Sequence, residues 1–425
     1  MTTKDHVPAI EPAMRALMGD LAANDQVKAA LTLCAAEKER AMAEQIRISE
    51  TESPTFAEKV RGEFIMQLMR DYGLKDVVMD PSGNVVGRRP GHDPKGPVLA
   101  IAAHLDTVFP AGTDLKVTQD GPLYRGPGIG DNASGLRSML QVLRALEAAK
   151  IETEGDVLFV GTVGEEGNGD IRGSKALFDG SREIDGFMAL DMCDVYTLQN
   201  GATGSHRWRI AIEGQGGHSY IDYGKVPSAI HAMCRAGNII ADFDPPADPR
   251  TTFTIGTIKG GTTVNTIAAR CEVDVDMRSV NLTELDNLEA RMLAAFDKGV
   301  ELENARWPQA DAAHQLKITK TQIGNRPAGM QPDNSPVVQG ALAAMEHMGL
   351  EVRQCRPSST DANKPISIGV PSVCIGTGGE TVNEHSLREY FDSTDMEKGP
   401  QLALLITLAM TGIAGVTKAA LPKRV

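Results

Sequence analysis

The chain has 425 residues, of which 41% are hydrophobic, 23% charged and only 4% aromatic. That balance excludes a disordered chain. A formal net charge of −13 with no Lys/Arg-rich block argues against a nucleic-acid partner. The length predicts two or three cores rather than one.

The six cysteines (Cys34, Cys193, Cys234, Cys271, Cys355, Cys374) form no CxxC pair, which predicts free thiols in a reducing, cytoplasmic setting. The start, MTTKDHVPAIEPAM, lacks the basic and apolar segments of a secretory signal. The uncharged run from Gln401 to Thr417, QLALLITLAMTGIAGVT, is expected to be a buried terminal helix, so no membrane partner is expected.

In chain order, Asp25 to Ile48 reads as helix, free of Gly and Pro. Thr55 to Tyr72 reads as a second helix, with Glu58 and Arg61 on its solvent or inter-element side. DPSGNVVGRRPG, Asp80 to Gly91, reads as turn, strand, turn. Pro97 to Ala103, Asp156 to Val163, Gly186 to Leu190 and Pro371 to Ile375 are short apolar runs bounded by polar residues, with helices such as Leu136 to Ala149 between them. This pattern predicts an α/β fold: a mixed, mostly parallel central sheet flanked by helices, with ligands at the carboxyl ends of its strands.

The middle of the chain differs. Trp208 to Glu213, Thr252 to Lys259, Ala268 to Arg278 and Leu316 to Thr321 alternate polar and apolar residues, and Ser228 to Ala241 and Leu282 to Lys298 read as helices. The β-α-β-β-α-β order predicts an inserted ferredoxin-like α+β domain at 206–322, leaving 1–205 and 323–425 as the larger domain. A helix from Ser335 to Met348 returns the chain to it.

Chemistry-bearing residues gather at strand ends. AAHLDTV places His104 at the end of an apolar run, with Asp106 positioned to accept its second ring N–H. GPGIGDNASG puts Asp131 just before a helix, where Asp131 or Asn132 would otherwise be only an N-cap. In GTVGEEGNGDIRG, one of Glu165 and Glu166 suits a metal while the other suits a metal-activated water, whose pKa falls to about 7; the residues alone leave open which. ALDMCD offers Asp191, with Asp194 as the alternative, and GTGGETVNEHSLREY offers His385. Two His and three or four carboxylates suit two divalent cations bridged by one carboxylate. The mixed donors favour zinc, with cobalt or manganese possible.

The order HxD, GD, EE, D and a late H resembles the zinc exopeptidase family, which includes carboxypeptidase G, peptidase T, aminoacylases and the deacylases of acetylornithine and succinyl-diaminopimelate. The resemblance implies a dinuclear zinc hydrolase cleaving a peptide or amide bond. It implies that Asp131 bridges, that His104 and Asp191 complete one metal site, and that Glu166 and His385 complete the other. Glu165 would be the general base and Asp106 would orient His104. The inserted domain would be a lid and dimerisation domain. There His218, in EGQGGHS, would reach a partner subunit's site, and Asn265 and Arg278 would hold a substrate carboxylate or carbonyl; the plainer reading pairs Arg278 with Asp276 or Glu272. SSTDANKP, with Asp361, and GTGG at Gly376 to Gly379 most resemble peptidase T. GIGDNASG and EEGNGDIRG depart from the deacylase and carboxypeptidase patterns respectively, so the substrate stays open between short peptides and N-acyl amino acids, the latter implying a deacylase or carbamoylase. A metal-binding homologue without activity is the third reading.

Overall fold

The computed structural model describes residues 6–180, 182–307 and 314–424. It divides into two compact units: one runs to Ala202 and resumes at Met330, and the other is Thr203–Gly329.

At the heart of the first unit, strands Asp156–Thr162, Val98–His104, Gly186–Leu190 and Ser372–Ile375 lie side by side and parallel. Val85–Arg89 and then Asp76–Met79 extend one edge antiparallel, and Thr197–Ala202 adds antiparallel on the other side. Every residue of Val98–His104, Asp156–Thr162 and Gly186–Leu190 is buried. The period of two explains why these strands read as continuous apolar runs. Leu99, Ile101 and Ala103 face one core with helices Ala133–Ala148, Pro336–His347 and Lys398–Thr411. Val98, Ala100 and Ala102 face a second, smaller core with Leu177, Phe187 and Ile366.

The helices refine the sequence reading. The span Asp25 to Ile48 is two helices, Asp25–Ala36 and Lys38–Glu50, broken at Glu37. There the Glu37 carboxylate accepts from Arg144 Nε at 2.8 Å. The following helix is Lys59–Asp71, and Arg61 on it is fully buried rather than facing solvent. Its guanidinium donates to three backbone carbonyls, of Thr51 and Leu105 at 2.9 Å and of Ser49 at 3.3 Å. Glu58, also buried, receives Arg172 at 2.7 Å. The terminal helix spans Lys398–Thr411 and stops at Gly412, whose φ of +72° favours glycine. No helix among the described residues is long and apolar enough to cross a membrane.

A second sheet of short antiparallel strands (Glu380–Val382, Tyr390–Asp392, Leu123–Arg125, Thr118–Asp120) sits within this unit. Its register pairs Tyr390 with Arg125, which lays the 383–389 loop beside the Gly-rich 126–131 segment.

The second unit is an antiparallel sheet in the order Thr251–Gly260, Arg270–Ser279, Gly204–Glu213, Lys317–Arg326. Helices Ala229–Ala241 and Leu282–Arg306 supply the rest of its core. Arg270–Ser279 alternates buried and half-buried residues, the signature of a sheet with one face packed. Ser228 and Asn281 cap the two helices by accepting from His231 and Glu284 N–H. The β-α-β-β-α-β order is that of a ferredoxin-like fold.

Candidate metal centre

His104 ends the strand Val98–His104 and is buried. Its Nδ1 lies 3.0 Å from the backbone carbonyl of Asp106 and 3.6 Å from that residue's carboxylate. Its Nε2 faces the other way, 2.9 Å from Asp131 Oδ1 and 3.9 Å from Asp191 Oδ1. The Asp106 carboxylate makes its shorter bonds elsewhere. Oδ1 accepts from the Glu165 N–H and Oδ2 from the Glu166 N–H, both at 3.0 Å, and Oδ2 also takes Thr55 Oγ1 at 2.9 Å. Asp106 therefore fixes the Glu165–Glu166 backbone at least as firmly as it orients His104.

Asp131 precedes helix Ala133–Ala148 without capping it. Asn132 is the cap: its Oδ1 accepts from Gly135 N–H at 3.0 Å, and its Nδ2 donates to the Leu190 carbonyl at 2.9 Å. That second bond ties the loop to the strand end that delivers Asp191. Asp131 is thus free to face the imidazoles, with His385 Nε2 3.0 Å from its Oδ2. His385 Nε2 is also 3.0 Å from Glu166 Oε1. Atoms of His104, Asp131 and Glu166 lie within 4.8 Å of one another. Asp361, buried beside this cluster, accepts from Thr162 Oγ1 at 2.5 Å. Asp194 turns away, accepting from Tyr196 N–H and Thr197 Oγ1 at 2.9 and 2.7 Å.

Not every ligand candidate stands at the carboxyl end of a central strand, as the sequence reading expected. His104, Glu165, Glu166 and Asp191 do. His385 rides on the hairpin of the second sheet, with a left-handed φ of 60°, and Asp131 follows a strand of the same small sheet. One residue without an assigned role proves central. Glu389, buried, accepts from Gly128, Gly130 and Asp131 N–H at 2.8, 2.9 and 3.1 Å. It pins the loop that presents Asp131. In sequence it looks like any acidic residue before a Tyr-Phe strand, and nothing there distinguishes it.

The protonation pattern is that of a cluster short of positive charge. Burial, then repulsion from Asp131, Glu166 and Asp361, pushes the Asp191 carboxyl up to about 7 despite His104. Burial and the charges of Asp131 and Glu165 push Glu166 up to about 7 against the pull of His385. Hydrogen bonds to Asp131 and Glu166 push the His385 imidazole up to about 11. His104 is held well above its ordinary value by Asp106 and Asp131 although burial opposes this. Asp131 is held below the usual carboxylate range by both imidazoles, again against burial.

These residues fit a divalent cation. Asp131 Oδ1 is buried and makes no well-aligned hydrogen bond even with His104 Nε2 2.9 Å away. One carboxylate whose two oxygens face two imidazoles is a donor set for cations, and ligand distances near 2.0–2.2 Å place neighbouring donors roughly 3–4 Å apart.

The other predicted residues lie in the second unit. His218 pairs with Thr266 in a two-residue strand match, and Ser219 N–H donates to the Asn265 carbonyl at 3.0 Å, so His218 and Asn265 are neighbours. Both are exposed. His218 Nδ1 accepts from Tyr220 and Ile221 N–H at 3.2 and 3.4 Å, which leaves Nε2 as the ring's donor. Arg278 donates through Nε to Asp276 at 2.7 Å, the pairing that the plainer reading expected.

Residues 100–408 match the model of Peptidase family M20/M25/M40. Among curated proteins, a putative [LysW]-lysine/[LysW]-ornithine hydrolase of Pyrococcus abyssi is 33% identical over 125 residues, 29% of this chain and 32% of the relative, so the match spans about a third of that protein. Among solved structures, a tripeptidase from Staphylococcus aureus is 25% identical with a TM-score of 0.73, covering 87% of this chain and 97% of that one. Aminopeptidase PepT from Bacillus cereus is 23% identical with a TM-score of 0.71 at the same coverages of 87% and 97%. The family match covers well over half of the chain and agrees with the fold: the chain belongs to Peptidase family M20/M25/M40, hydrolases of peptide and amide bonds.

Proposed function

We propose that this chain is a cytoplasmic, homodimeric dinuclear zinc exopeptidase that cleaves short peptides, with N-acyl amino acids as the second substrate class. The observation that carries the reading is Asp131, with one oxygen 2.9 Å from His104 Nε2 and the other 3.0 Å from His385 Nε2. Asp131 would bridge, His104 and Asp191 would hold one cation, and Glu166 and His385 the other. Bound there, divalent cations (zinc by the mixed donors, with cobalt or manganese as substitutes) would supply Lewis acidity toward water and the scissile carbonyl oxygen.

The remaining chemistry belongs to side chains of this chain. Glu165 takes a proton from the attacking water as its oxygen bonds to the carbonyl carbon. It returns a proton to the amine nitrogen as the C–N bond breaks. Asp106 holds the backbone of both glutamates and keeps Glu165 next to Glu166. Its own carboxyl stays below the usual range, because His104, the Glu166 N–H and Thr55 outweigh burial. As the family resemblance implies, His218 would donate from Nε2 to the substrate carbonyl in a second copy, and Asn265 and Arg278 would bind the substrate. Six free cysteines suit a reducing compartment.

Glu165→Gln tests the assignment. Turnover of di- and tripeptides is expected to fall by roughly a thousandfold or more, the upper part of what general-base catalysis supplies with its positioning, while metal content is unchanged. A variant that keeps most of its activity removes Glu165 from the reaction. Mixing it with His218→Ala is expected to restore activity through hybrid dimers. No recovery after verified subunit exchange counts against action in trans.

A further inference from the structure

A cavity of about 980 Å³ opens beside the candidate centre, within the first unit, and His385 lines both. Its charge runs against that of the molecule. The chain carries −13 overall, yet Lys116, Arg125 and Arg388 all line this one cavity. Each of the three is exposed. Basic side chains elsewhere do meet carboxylates: Arg144 lies 2.8 Å from Glu37 and Glu44, and Arg209 lies 2.8 Å from Asp274. Among the described residues, neither Lys116, Arg125 nor Arg388 pairs with a carboxylate. Arg125 instead stacks its guanidinium on the Tyr390 ring, 5.1 Å from the centroid, which uses its face and leaves its N–H donors uncommitted.

The two acidic residues of the cavity wall are engaged with backbone. Asp114 accepts from Lys116 N–H at 3.1 Å, and Glu389 is taken by the three N–H groups of the 128–131 segment. Phe109 and Leu387 add an apolar surface, Leu387 with 72% of its area exposed. Exposed cations, an apolar wall and contact with a candidate ligand make a site for an anionic group joined by an aliphatic or aromatic arm to the bond being cleaved.

We propose that this cavity binds a carboxylate carried by the substrate, remote from the scissile amide. The inference rests on the hydrolase reading above and adds the substrate class to it. Two sources share the chemistry: the C-terminal carboxylate of a short peptide, and the far carboxylate of a dicarboxylic N-acyl group. Lys116, Arg125 and Arg388 act as specificity residues and take no part in bond breaking.

The test measures kcat and KM for the zinc-loaded enzyme and the variants Lys116→Gln, Arg125→Gln and Arg388→Gln. The substrates are a tripeptide and its C-terminal amide, and an N-succinyl and an N-butyryl amino acid. A KM increase of about tenfold or more with kcat within twofold, confined to the carboxylate-bearing member of one pair and shrinking at high salt, is expected. The pair that responds names the source of the carboxylate. A second reading uses calorimetry: glutarate is expected to bind chelator-treated wild type more tightly than the triple variant. Equal effects on charged and uncharged members, or no effect on either together with equal glutarate binding, overturn the subsite while leaving the hydrolase standing. Absence of amide hydrolysis by metal-loaded wild type overturns the hydrolase reading. The glutarate comparison then decides the cavity on its own.

Discussion

Two buried carboxylates, neither of them a proposed cation ligand, hold the residues that are. Asp106 gathers the Glu165 and Glu166 N–H groups, and Glu389 gathers three N–H groups up to Asp131. Burial pushes the Glu389 carboxyl up to about 7 even against those donors, so the loop is what keeps it in place and it keeps the loop. Glu389→Gln retains the shape but turns one acceptor into a donor facing backbone N–H. Metal affinity is expected to drop by about 10–100-fold, the usual cost of losing an outer partner of a ligand. Titration of the loaded protein with a competing chelator checks this, and Glu389→Asp, which keeps the charge, is expected to recover part of the loss. Unchanged affinity would make Glu389 a plain core residue. His104 is legible in sequence because it ends a fully apolar strand with Asp106 two residues beyond, and burying polar side chains there is costly unless they meet a ligand or a partner. Glu389 was not legible, because its partners are backbone groups more than 250 positions away, and no local pattern encodes them.

At the scale of elements, legibility followed the length of the pattern. Strands with five to ten patterned residues, such as Val98–His104 and Arg270–Ser279, announce themselves by continuous or alternating apolarity. The strands of the second sheet have only three residues each (Glu380–Val382 and Leu123–Arg125 are two of them), too few for a period to appear. That sheet sets His385 beside Asp131, so their Gly-rich loops mark each residue as a candidate in the sequence while nothing local there pairs the two. The break at Glu37 was likewise hidden, since Glu is a good helix former and its contact with Arg144 is tertiary.

The second unit offers a pH test of its own packing. Glu303 is buried and accepts from Arg235 Nε at 2.9 Å, Trp307 Nε1 at 3.0 Å and Ser228 N–H at 3.2 Å. Burial would raise its carboxyl, but these donors hold it below the usual range. A carboxyl depressed in the folded state contributes stability that is fully present above its unfolded value, about 4.3, and is lost as pH falls through the folded value. Wild type is therefore expected to unfold at higher denaturant than Glu303→Gln at pH 7, with the gap closing below about pH 4. Both tryptophans of the chain, Trp208 and Trp307, lie in this unit, so their fluorescence reads it directly. A gap that stays constant from pH 7 to pH 3 would contradict the linkage.

For the whole molecule, one chain builds two folds because its two kinds of strand demand different cover. Strands apolar on both faces need helices on both sides, and alternating strands need them on one. The cluster at the strand ends of the first unit holds two imidazoles, Asp131 between them, and two carboxyls, of Glu166 and Asp191, that burial above all pushes up to about 7. The most direct measurement is metal content per chain by elemental analysis, made alongside hydrolysis of a small peptide panel before and after chelation. The expected result is about two divalent ions per chain, with cleavage lost on chelation and regained on adding zinc, cobalt or manganese. A protein that binds no metal, and whose hydrolysis is absent or indifferent to chelation, would contradict it.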